Sequence, residues 1–100
     1  MIFIGRYKEF NPNHDYPSIK AFFSDGPYEG QDRIVQYLKS GTEDMVRFAV
    51  PKDVFTGEII PVRNVGMNDG EYTWFAPLAY YVEKYNLRLP EDFEQKILRS

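Results

Sequence analysis

The chain predicts an α+β domain: a small, mainly antiparallel sheet with helices on one face, in the order β-α-α-β-β-β-α-α. Three observations point there. Apolar residues alternate at period two over residues 1–8, 45–50, 59–67 and 71–75, the spacing at which a strand presents one face. They recur at helical spacing over 17–24, 31–40, 78–85 and 91–98. Asn68-Asp69-Gly70 lies between two of the strand segments, and Asp-Gly accepts the positive φ that a tight hairpin demands, so those strands run antiparallel.

The elements follow in order. In residues 1–8, Ile2, Ile4 and Arg6 share one face and Met1, Phe3, Gly5 and Tyr7 the other, a pattern that suits a covered strand able to join either end of a meander. Residues 11–16 are turn formers, and Pro17 opens a short helix with Ile19, Phe22 and Phe23 inward. Gln31 to Ser40 forms the next helix, with Ile34, Val35 and Leu38 as its inner stripe and Gly41 as a left-handed cap. Met45 to Val50 is a strand with Val46, Phe48 and Val50 on one face, stopped by Pro51. Ile59 to Met67 returns beside it, and Glu71 to Phe75 completes the meander. Pro77 opens a helix lined by Leu78, Tyr81, Val82 and Tyr85 and capped by Asn86. Pro90 opens the last helix, whose Glu91, Asp92 and Glu94 in the first turn and Lys96 and Arg99 in the last match the helix dipole.

One hundred residues make one domain, spanning 1–100. A chain of this size hides roughly 60–70% of the surface its unfolded form exposes, enough for a core without metals or disulfides. Eight Phe, eight Tyr and one Trp raise the aromatic share to 17%, and large rings supply much buried area per residue. The absence of cysteine excludes disulfide scaffolds, thiolate metal sites and cysteine nucleophiles. Net charge is −3, and no basic cluster runs along the sequence, so nucleic-acid binding is not expected. No apolar run approaches the ~20 residues of a membrane helix, and the N-terminus is charged too early for a signal peptide. The expected location is the cytoplasm.

Few residues carry a chemical signal. His14 is the one histidine; it stands beside Asp15 in a polar loop, where a surface or turn role is the ordinary reading. Asp25, Glu29 and Asp32 lack the alternating ligand spacing of a calcium loop, so no metal or other cofactor is expected. Asp69 and Glu71 flank Gly70, where turn chemistry explains the acid better than catalysis does. The glycines are scattered and form no phosphate cradle. Tyr and Trp are favoured contact residues at interfaces. Tyr72, Trp74 and Tyr80, with Glu71 and Asp69 beside them, are therefore the candidate binding residues.

Asp53, Thr56-Gly57-Glu58, Asp69-Gly70-Glu71-Tyr72-Thr73-Trp74, Leu78 with Tyr80-Tyr81-Val82-Glu83, and Leu87, Leu89-Pro90-Glu91 with Phe93 together resemble a group of small uncharacterised bacterial single-domain proteins. The likeness covers roughly the second half of the chain. It implies a bacterial cytoplasmic origin and no assigned activity or catalytic residue. Immunity proteins of bacterial toxin systems are similar in size and acidity, which is analogy alone.

The expected function is a non-enzymatic protein-binding module with an acidic, tyrosine-rich surface. Its expected partner is another protein, a copy of itself or a basic toxin domain. The alternatives are a small enzyme using His14 with a carboxylate, and a small-ligand carrier with an aromatic-lined cavity.

Overall fold

The computed structural model describes residues 1–99. It is an α+β fold with a four-stranded mixed sheet. The elements are β1 (Ile2–Phe3), a 3-10 turn (Ile19–Phe22), α1 (Gln31–Lys39), β2 (Thr42–Val46), β3 (Val65–Asn68), β4 (Tyr72–Phe75), α2 (Leu78–Tyr85) and α3 (Glu91–Leu98). The spatial order is β1-β4-β3-β2. β2, β3 and β4 form the antiparallel meander, and β1 joins it in parallel beside β4. A hairpin closed at Gly70 (φ +93°) links β3 to β4: the Asn68 side chain accepts from Gly70 N–H, and Asp69 Oδ1 accepts from the N–H groups of Glu71 and Tyr72.

Several elements depart from expectation, each for a local reason. The first strand stops early because Gly5 turns the chain at φ +84°, with the Leu78 side chain packed where a Cβ would stand. The helix expected over 17–24 is a single 3-10 turn. The Glu9 carboxylate takes the Ser18 hydroxyl and the Ile19 N–H, and Phe23 leaves the turn extended to bridge Leu87. The strand expected at 45–50 lies upstream, at Thr42–Val46, with a bulge between Glu43 and Val46. Its expected partner over 59–67 pairs only from Val65, because Pro61 falls between the isolated Lys52–Ile59 bridge and β3. Gly41 is not left-handed. It is small because Trp74 and Asn68 O crowd it, with Trp74 Cζ2 2.9 Å from the position of a Cβ.

The core lies between the sheet and the helices. Tyr72 and Trp74 share one sheet face, on which α1 and α3 sit. Trp74 Nε1 donates to Leu38 O at 3.2 Å, and the Phe93 ring meets both Tyr72 and Trp74. α2 packs against α1 and ends at Asn86, whose φ of 57° and ψ of 41° make it the expected left-handed cap. Phe3, Thr73 and Phe75 point to the opposite face of the sheet, because β1 pairs Phe3 with Thr73 and the Phe3 and Phe75 rings meet edge to face at 5.3 Å.

Candidate functional site

The residues expected to bind a partner are used inside the molecule. Trp74 is 0% exposed and Tyr72 8%, so neither ring offers a docking face. Asp69 is a structural hub: beyond its two backbone bonds in the hairpin, Oδ2 accepts from the Tyr37 hydroxyl of α1 and from Lys96 Nζ of α3 at 2.9 Å. Lys96 also reaches Glu71 at 2.8 Å. Burial would raise the Asp69 pKa, but the hydrogen bonds from Tyr37, Tyr72, Lys96 and Glu71 outweigh it and hold the carboxyl well below its usual range. The hairpin turn thereby ties both helices to the sheet. Of the five expected residues, only Glu71 is exposed.

Tyr80 belongs to a second hub that the sequence did not single out. Asp53 is 1% exposed. Its Oδ2 accepts from Tyr85 Oη at 2.6 Å, Tyr80 Oη at 2.7 Å and Lys84 Nζ at 3.4 Å, and its Oδ1 accepts from Phe55 N–H and Thr56 N–H. Burial opposes ionisation, but the tyrosine and backbone donors prevail and the pKa falls. The same pairing, after burial itself, pushes the Tyr85 phenol up to about 12. Tyr81 fastens the loop from the other side, accepting from Val54 N–H and donating to Lys52 O. Asp53 three residues before Thr56-Gly57 is an Asx-turn signature, and that was its available signal.

Two features remain open to solvent. The first is the sheet edge at β2. It has β3 on one side and stands last in the sheet order. Every residue from Thr42 to Val50 is exposed, and Phe48 is 98% exposed. Met45, Val46, Val50 and Ile59 are exposed with it. Single exposed apolar side chains are ordinary, but several gathered along one edge mark a contact surface.

The second is a half-open cavity of about 420 Å³ beside Phe3 and Phe75. Buried Leu78 and Tyr81 line it together with Phe10, and exposed Arg6, His14, Arg47 and Lys52 line it as well. The Arg6 guanidinium lies 4.2 Å from the Phe3 ring centroid and that of Arg47 lies 4.1 Å from Phe75. His14 stacks on Tyr16, whose hydroxyl accepts from Arg6. The charged side chains that share this cavity with His14 are therefore cations, not the carboxylate that an acid–base pair would need.

Among the described residues, no group of three or more His, Asp or Glu side chains is placed to hold a metal ion, and no helix is long and apolar enough to cross a membrane. No known protein family, curated protein or solved structure matches this chain.

Proposed function

We propose that this chain is a non-enzymatic protein-binding module of the bacterial cytoplasm that takes on a partner strand at β2. The observation that carries it is the pair of exposed apolar side chains Met45 and Val46 on an unpaired sheet edge, followed just beyond the strand by Phe48, 98% exposed. Strand addition satisfies the outward backbone groups and buries alternate side chains in one step. The partner that the local chemistry specifies is a second copy of the chain. An antiparallel pairing about a two-fold axis at Met45 sets Glu43 of one copy opposite Arg47 of the other. Opposite charges at that spacing favour the pairing, whereas a parallel one would set acid against acid. The docking surface is then the β2 edge, in place of the Tyr72–Trp74–Tyr80 patch.

Light scattering after size exclusion, run over a concentration series, tests this. The expected result is a monomer–dimer equilibrium that Phe48→Asp and Met45→Lys shift to monomer, with the urea midpoint unchanged at concentrations where the parent is itself monomeric. A monomer at every concentration would overturn self-pairing. A one-to-one complex with a basic protein in place of the dimer would keep the binding module and redirect it to the immunity-like role.

A further inference from the structure

We infer that the cavity beside Phe3 and Phe75 is a binding site for a small organic anion with a flat apolar body, an aryl carboxylate or aryl phosphate. This does not rest on strand pairing at β2; the two surfaces share only Arg47.

Charge placement is the first reason. The chain carries net charge −3, yet Arg6, Arg47 and Lys52 gather at this cavity, and no Asp or Glu lines it. Several cations elsewhere are held by acids: Lys39, Arg63, Lys84, Arg88 and Lys96 each form an ion pair. Among the described residues, Arg6, Arg47 and Lys52 form none. Concentrated positive charge without a counter-charge, against a low-dielectric wall, attracts an anion. Guanidinium forks match carboxylate and phosphate oxygens in pairs.

The walls supply the second reason. A bare inorganic ion would leave Phe3, Phe75 and Leu78 unused. A volume of about 420 Å³ falls within the ~300–1,000 Å³ of small-molecule sites, which combine mostly apolar linings with a few placed polar groups. An aryl ring against the phenylalanines and an anionic head between Arg6, Arg47 and Lys52 uses both halves of the site. The Asn11 and Asn64 side chains on the same lining can hydrogen-bond the head group as well.

Titration of the full chain with phenylacetate, phenyl phosphate, inorganic phosphate and benzyl alcohol, followed by amide NMR shifts, tests the site. The expected result is saturable shifts around Gly5, Arg47 and Leu78 with phenylacetate or phenyl phosphate, the two arms separating a carboxylate from a phosphate site. Benzyl alcohol and inorganic phosphate should bind at least about tenfold more weakly, and Arg6→Gln with Lys52→Gln should cost a similar factor. Affinity should fall as salt is added. If the double variant does not fold, Arg6→Gln alone carries the comparison. The site is overturned if neither aryl anion saturates by about 10 mM. Equal binding of benzyl alcohol, or full affinity in a folded Arg6 variant, overturns it too.

Discussion

Tyr85 Oη donates to Asp53 Oδ2 at 2.6 Å, joining α2 to a loop that precedes it by some thirty positions in the chain. Tyr80 and Lys84 reach the same oxygen, so a carboxylate with almost no solvent access is held by donors rather than by water. Replacing it strands those donors. Asp53→Asn should cost about 3–5 kcal/mol, the range for breaking a buried charged network, while Tyr85→Phe, which loses one hydrogen bond to the carboxylate, should cost about 1.5–3 kcal/mol. Urea midpoints at neutral pH measure both. A midpoint unchanged in Asp53→Asn would show that the loop and α2 do not depend on this hub.

The two aspartate hubs also set the acid limb of stability. Asp53 and Asp69 both have folded pKa values below the ~3.9 of an unfolded aspartate, so the unfolded chain binds protons first as pH falls. Their contribution is complete above that value and fades as pH drops through it towards the folded values. Stability should be level from neutrality to about pH 5 and then decline. Asp53→Asn and Asp69→Asn should each flatten that decline, and thermal melts across the range record it. At the other end, Tyr7, Tyr28 and Tyr85 are raised to about 12, chiefly by burial. A group whose pKa rises on folding stabilises below its unfolded value, so this contribution should be lost between pH ~10 and 12.

Local signals in the sequence match the structure. The Asp-Gly hairpin, the Asn86 cap and the helix opened by Pro90 each depend on neighbours within a few residues, and each stands where expected. Residues 17–24 looked equally helical, but the competing acceptor is Glu9, from a separate segment, and propensity does not register it. Tyr72 and Trp74, candidates for a binding face, are buried for a related reason. Alternation told which residues point the same way, but not which face the helices would cover. The cavity was invisible because Arg6, His14 and the Arg47–Lys52 stretch are separated along the chain, with Glu9 between the first two and several acids before Arg47.

Gly41 offers a test of close packing that involves no strained φ. A Cβ there would stand 2.9 Å from Trp74 Cζ2 and 3.1 Å from Asn68 O, so the indole or the hairpin backbone must move. Gly26 has nothing within 4 Å of the same atom. Gly41→Ala should destabilise by about 1–3 kcal/mol, as overpacking does, while Gly26→Ala should stay within about 0.5 kcal/mol of the parent. Equal urea midpoints for the two variants would mean that Gly41 does not touch the indole.

Trp74 carries the last prediction. Its ring is 0% exposed, and its N–H supplies a partner for Leu38 O, one of the carbonyls that the end of α1 leaves without an intrahelical donor. Trp74→Phe removes ring area at the centre of the core and that donor together, so the loss should be about 2–4 kcal/mol. Because the chain has one tryptophan, its fluorescence reports this site alone. Emission from the folded protein should be blue-shifted and resist iodide, and should move to the red in one step with the loss of helical circular dichroism in urea, since the indole, α1 and the sheet share one core. Emission quenched as readily folded as unfolded would place the ring at the surface, and Trp74→Phe would then cost no more than about 0.5 kcal/mol.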